Sequence, residues 1–321
     1  MERSRPRILL SEGSSLSARE AITAFGLAGH RVDIVTNDTW CLGRFSRFVR
    51  HVHPAPLSGR DPDGYLDAVL EIVAQHRIDA LIPVHEQAYL FAAIRHRLPA
   101  TLGVALGEFE AFEQVQSKAA FSALLSRLDV PQPATTLVRS AHELEDGPSF
   151  PFFVKTVFGT ASSGIWRVGN REQLDALLPR LEARGAFVSG LLVQEAVSGA
   201  LERTQAVFDQ GRLVACHIYR QLAEGPSGGD VLKISVQRPE IRSLVERIGG
   251  ALVWHGALSF DYILEEATGK PRFFDANPRL VEPMNASLSA STLLVPCSKF
   301  RWAARPLRNP LAVRVSRRGS D

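Results

Sequence analysis

The sequence predicts a mixed fold, α/β in its first third and α+β thereafter, on three observations. Residues 7–10 form a short apolar strand, a polar loop follows, a helix runs to about Ala28 and stops at Gly29, and residues 31–35 read as a second strand. A β-loop-α-β start of this kind opens a doubly wound parallel sheet. Further along, apolar β-prone runs come in pairs around glycine turns: 201–208 with 213–219 around Asp209-Gln210-Gly211, and 257–264 with 272–276 around Thr268-Gly269. Paired runs of that sort are hairpins, and hairpins make antiparallel sheet. The composition completes the case, since 321 residues with 45% hydrophobic and 22% charged content suit an ordinary globular chain with two or three cores.

The totals also exclude several classes. A net charge of +3 is too small to predict a nucleic-acid partner, and six of the arginines (Arg301, Arg305, Arg308, Arg314, Arg317, Arg318) crowd the last stretch. Cys41, Cys216 and Cys297 have neither metal spacing nor a disulfide framework. No signal-peptide core and no apolar run near the ~18 residues of a membrane span is present, so the expected location is cytoplasmic and the expected partners exclude the membrane.

In order, residues 61–76 form a helix with Leu66, Val69, Leu70 and Val73 on one face, and residues 80–84 a buried strand leading into His85 and Glu86. Such a strand end is where parallel sheets place ligands, although a glutamate opening a helix reads equally as a partner for the helix dipole. Residues 103–105 form the last strand of this first domain. The loop after the first strand offers only Gly13, so no G-x-G-x-x-G dinucleotide fingerprint is present. From Glu108 two short helices flank Lys118, and Pro131 and Pro133 break the second. Residues 152–155 form a strand that delivers Lys155 to the loop Gly159-Thr160-Ala161-Ser162-Ser163-Gly164, and residues 165–168 return. Backbone N–H groups in such a loop can cradle phosphates, yet this is no Walker A loop. A helix (171–184) and a strand (191–197, with Gln194 and Glu195) follow; 222–230 is too glycine-rich for an element, and 239–254 is an amphipathic helix.

The last hairpin carries the sharpest signal. Closure about Thr268 sets Asp261 directly opposite Asp275, roughly 5 Å apart, where like charges are destabilising. Asn277 shares their face, Pro278 ends the ladder, and Arg279 follows with a fork suited to phosphate or carboxylate. Two carboxylates and an amide oxygen suit a hard cation such as Mg²⁺. An amphipathic hairpin ending in a turn is the plainer alternative.

Phe260-Asp261 followed by Asp275-Ala276-Asn277-Pro278-Arg279 resembles the metal-binding end of ATP-grasp ligases, of the carboxylate–amine type and similar to carbamoyl-phosphate synthase and biotin-carboxylase-like domains. The resemblance covers residues 105 to 290, with Asp275 standing where the family usually has Glu. It implies a doubly wound pre-ATP-grasp domain (1–105), then a two-lobed ATP-grasp fold (106–295, divided at 195/196) and a basic tail (296–321), disordered or truncated. It further implies that Lys118, Lys155 and the loop residues Gly159, Ser162, Ser163 and Gly164 handle the ATP phosphates. Gln194 and Glu195 would lie at the adenine and ribose, and Asp261, Asp275 and Asn277 would hold Mg²⁺ or Mn²⁺. Arg279, with Arg220 from the neighbouring strand, would neutralise the transferred phosphoryl. The implied reaction joins a small-molecule carboxylate to an amine at the expense of ATP, with Glu282, Asn285 and the 225–230 loop on the substrate side and a homodimer as the assembly to test.

Overall fold

The structure, a computed structural model, describes residues 5–159, 164–224 and 230–281. These form one parallel and two antiparallel sheets. The first contains β1 (Arg7–Leu10), α1 (Leu16–Leu27), β2 (Arg31–Thr36), β3 (Val49–Pro54), α2 (Pro62–Gln75), β4 (Ala80–Ile82), α3 (Gln87–Ala93) and β5 (Gly103–Val104), in strand order β3-β2-β1-β4-β5. The Ser15 hydroxyl caps α1 by accepting from the Ala18 N–H, and Gly29 at φ +84° follows its end. Successive β1 side chains feed different cores. Ile8 and Leu10 pack with Ala18, Ala21 and Ile22 of α1, whereas Leu9 packs with Tyr65, Leu66 and Val69 of α2. Helices therefore cover both faces, as the opening of the sequence predicts.

The second sheet follows α4 (Phe109–Gln116) and α5 (Lys118–Arg127). It contains β6 (Thr135–Val138), α6 (Ala141–Glu145), β7 (Phe152–Thr156), β8 (Ile165–Val168), α7 (Arg171–Ala183) and β9 (Leu191–Glu195), in strand order β6-β9-β7-β8. Leu174, Leu177, Leu178 and Leu181 recur at helical spacing and bury one face of α7 with Val154 and Val193.

The third sheet begins three residues after β9. Its elements are β10 (Gly199–Asp209), β11 (Arg212–Glu224), β12 (Asp230–Ser235), α8 (Pro239–Ala251), β13 (Gly256–Glu265) and β14 (Pro271–Asn277), in strand order β12-β11-β10-β13-β14. Gln210 (φ +50°) and Gly211 (φ +83°) make the expected two-residue turn. One face is apolar and covered by Ile241, Val245 and Ile248 of α8 and by Phe121 of α5, whose ring stacks 6.0 Å from Phe260. The other face is polar and holds the candidate site.

Two expectations change. The segment 222–230 is not bare loop, because β11 continues to Glu224 and β12 begins at Asp230. Strands β3, β6 and β12 and helix α6 were not anticipated. The glycine loop at 225–229 and the tail 296–321 lie outside the described residues.

Candidate functional site

The geometry of the site starts from a bulge. Next to the turn, Leu264 pairs with Pro271, Ile263 with Arg272 and Tyr262 with Phe273; beyond it, Asp261 pairs with Asp275, Phe260 with Ala276 and Ser259 with Asn277. Phe274 is the extra residue. The hairpin therefore does not close symmetrically about Thr268, as the sequence suggested; the inserted residue shifts the register by one and restores the facing aspartates. In a ladder continued without the bulge, Asp261 would face Phe274. Bulges commonly re-aim a side chain in this way.

Across the polar face the register builds two rows. Tyr219, Arg203, Asp261 and Asp275 are successive partners from β11 to β14, and beside them run His217, Gln205, Ser259 and Asn277. Each aspartate has a cation. Arg203 Nε lies 3.3 Å from Asp261 Oδ1, and Lys118 Nζ lies 3.7 Å from Asp275 Oδ1. The like-charge strain expected of a bare pair is thereby relieved.

Lys118 also ties the glycine loop that begins at Gly159 to this hairpin. Its Nζ donates to the Gly159 carbonyl at 2.9 Å, and its backbone N–H donates to Val157 O at 2.9 Å. The side chain is buried because it opens α5, where Ser117 supplies the N-cap. Gly159 and Gly164 bracket the loop. Gly164 sits at φ +74°, and a Cβ there would fall 2.3 Å from Thr156 Oγ1, so a side chain is excluded twice over. Ser162 and Ser163 lie outside the described residues.

Lys155, near the end of β7, is 5% exposed. Its ammonium donates to Gln194 Oε1 at 2.6 Å and lies 4.7 Å from the centre of the Phe274 ring, the bulged residue. Burial pushes this lysine down to about 8; the Lys118 charge adds to the lowering, while Asp275 and Asp261 pull the other way. Gln194 in turn donates to Thr135 Oγ1 at 2.9 Å, so its side chain orients Lys155. Glu195 at the end of β9 is exposed and accepts from the Ala134 N–H at 3.3 Å.

Arg279 turns back across the gap to the first sheet. Its Nε donates to Glu86 Oε1 at 3.1 Å, and its Nη2 lies 3.5 Å from Asn277 Oδ1. Glu86 immediately precedes α3, after β4, so the ligand end of the parallel sheet meets the aspartate hairpin here.

Arg220 is a correction. It pairs in register with Glu202, one residue from Arg203, and so points to the opposite face of the sheet from Asp261. There its Nε donates to Glu202 Oε1 at 2.8 Å, beside Arg238 Nη2 at 2.9 Å and the Tyr262 hydroxyl, 2.6 Å from Oε2. The arginine on the aspartate face is Arg203, which sequence reasoning missed. Local pattern could not show it: a regular ladder about Gln210-Gly211 puts Arg203 and Arg220 on the same face, and the irregularity between Val207 and Phe208 separates them.

No protein-family model matches the chain. The carbamoyl phosphate synthase large chain of Thermoplasma acidophilum is 23% identical over 282 residues, covering 82% of this chain. The chain spans 26% of the length of that curated relative. Among solved structures, the biotin carboxylase domain of Hydrogenobacter thermophilus 2-oxoglutarate carboxylase superposes with a TM-score of 0.70 at 17% identity, covering 87% of this chain and 65% of that one. The L-amino acid ligase of Bacillus licheniformis gives 0.67 at 17% identity, covering 91% and 71%. The N5-carboxyaminoimidazole synthetase of Staphylococcus aureus gives 0.64 at 11% identity, covering 88% and 72%. The chain has the ATP-grasp fold. The second sheet brings Lys155 within electrostatic reach of the Asp275 and Asp261 carboxylates of the third. Among the described residues no helix is long and apolar enough to cross a membrane.

Proposed function

We propose that the chain is an ATP- and Mg²⁺-dependent ligase that activates a small-molecule carboxylate as an acyl phosphate for attack by an amine. One observation carries this reading. Asp261 and Asp275 face each other across β13 and β14 in a cleft that also presents Lys118, Lys155, Arg203 and Arg279. Phosphoryl transfer asks a protein mainly for positioning and charge neutralisation, and this is a set of groups for both. The superposed biotin carboxylase domain was solved with MgADP and bicarbonate, and the other neighbours include an amino acid ligase.

Lys118 and Lys155 would take the phosphate oxygens, with Lys118 exchanging its contacts to Gly159 and Asp275 for them. The donor set fits a hard divalent ion: two carboxylates in register and the Asn277 amide oxygen, each aspartate already beside a cation that the ion would replace. Bound there, Mg²⁺ would neutralise the phosphate charge; Asp275, one methylene shorter than the usual glutamate, suits one ion rather than a bridge between two. Arg279 would turn from Glu86 to the transferred phosphoryl or the acyl phosphate, where a charge-assisted contact is strong. Glu195, exposed at the end of β9, would take the ribose.

The test is ADP release from Mg²⁺–ATP across a panel of amino acids and bicarbonate, with and without amine acceptors. Stimulation by acid and amine together is the expected result. Nucleotide binding without turnover under every pairing overturns ligation and points to a catalytically reduced nucleotide-binding protein. The shortened Asp275 and the commitment of Arg279 to Glu86 would then be its explanation.

A further inference from the structure

On the parallel sheet, away from Glu86, four imidazole- and carboxylate-bearing residues from β2, β3 and the end of α2 gather together. Asp33 of β2 is fully buried, and His53 of β3 is nearly so. His76, at the C-terminus of α2, lies with its ring 4.4 Å from that of His53, and His51 stands 5.9 Å from both. One donor atom from each of Asp33, His53 and His76 lies within 4.8 Å of the other two. We propose that Asp33, His53 and His76 form a second cation site, for a borderline-soft divalent transition metal of the Zn²⁺ class and separate from the aspartate hairpin.

Three features carry this. The donor set is imidazole with one carboxylate, which suits Zn²⁺, Co²⁺ or Ni²⁺ far better than Mg²⁺. Asp33 Oδ2 and His53 Nε2 already converge to 2.9 Å, and an ion would take the place of the hydrogen bond between them. The third feature is the charge already placed there. Arg7 donates to Asp33 Oδ2 from Nε at 3.1 Å and Nη2 at 2.6 Å. Its Nη2 also lies 2.9 Å from His51 Nδ1, and since a guanidinium has no acceptor, that ring nitrogen accepts from Arg7. Arg7 supplies the counter-charge that a metal ion would otherwise supply. It is therefore the built-in competitor for the site.

The experiment is a Co²⁺ titration of the full chain, followed by visible absorption, in the parent and in Asp275→Asn. The second chain removes the hairpin's carboxylate pair as a rival site. The expected result is one equivalent of Co²⁺ with an imidazole-type spectrum in both chains, displaced by Zn²⁺. His76→Ala, on a partly exposed helix end, should weaken it at least ~10-fold, as loss of a ligand or its orienting partner does. Arg7→Gln should tighten it by removing the competitor. Three results overturn the proposal: no Co²⁺ bound by the parent at 100-fold excess, binding that survives His76→Ala unchanged, or binding that disappears in Asp275→Asn. Binding seen only after Arg7→Gln also overturns it, since the guanidinium then owns the position.

Discussion

The two faces of the third sheet handle buried carboxylates in opposite ways. On the apolar face, Glu202 has no exposed surface and is closed in by three donors: Arg220, Arg238 and Tyr262. Burial alone would raise its pKa, but the hydrogen bonds from Arg238, Tyr262 and Arg220 outweigh that and hold it below the ordinary carboxylate value. On the polar face, two aspartates share a register position and meet their cations at 3.3 and 3.7 Å, too far for tight hydrogen bonds. A carboxylate with all its lone pairs used at short range belongs to the fold. Two carboxylates set face to face across a hairpin, each beside a cation, bring together the charges that a ligand site needs. The same contrast explains why Arg220 and Arg203, on neighbouring strands, take different parts.

The comparison can be broken at several points. The largest effect should come from Glu202→Ala, which leaves two guanidinium groups and a buried hydroxyl without their acceptor. A loss of about 3 kcal/mol or more is expected in denaturant unfolding, as for other buried pairs broken on one side. Because the folded pKa of Glu202 is depressed, its contribution is present above the unfolded value and is lost as pH falls through the folded one. A loss under about 0.5 kcal/mol would place Glu202 with the loosely held aspartates.

Lys155→Ala should come next. The protein should remain folded, because the lysine's burial already opposes its charge, while nucleotide affinity drops by about 2 kcal/mol, the scale of a hydrogen bond to a charged group. Unchanged affinity in a calorimetric titration would remove Lys155 from the phosphate site.

Asp275→Asn separates the two faces directly. Without ligand it should change the melting temperature little in either direction, by an amount worth about 1 kcal/mol or less, since Lys118 and Arg203 already balance the pair. The rise in melting temperature that Mg²⁺–ATP gives the parent should be lost. Equal rises in mutant and parent would mean that the pair holds no metal.

The smallest effect is one of pH, and it has two opposite signs. With Lys155 at about 8 in the folded chain and 10.5 in the unfolded, the buried charge penalises folding below pH 8. That penalty fades between pH 8 and 10.5, so this residue's contribution to stability improves as pH rises. Nucleotide binding should move the other way, weakening up to about tenfold one unit above the pKa and taking up a proton near pH 8.5. Calorimetry in buffers of different ionisation enthalpy measures that uptake; no uptake would mean the lysine is already charged at that pH or does not meet phosphate.

What the sequence alone determined is the alternation of the inner strands, the positions of the glycine turns and the chemistry of the last hairpin. Strands β1, β2, β7, β9, β10, β11, β13 and β14 all carry the apolar pattern that burial demands. The three strands missed, β3, β6 and β12, each lie at one edge of their sheet, although the strands at the opposite edges, β5, β8 and β14, were legible. An edge strand pairs on one side only and can carry residues such as the histidines of β3 or the threonines of β6, so it need not show that pattern. Only the tertiary structure decided three further things: the bulge at Phe274 that puts Asp275 opposite Asp261, the face on which each arginine lies, and the meeting of Lys118, Gly159 and Glu86 with the hairpin. Local pattern could not reach these, because a one-residue insertion reverses every side chain beyond it, and because these contacts join residues dozens to nearly two hundred positions apart.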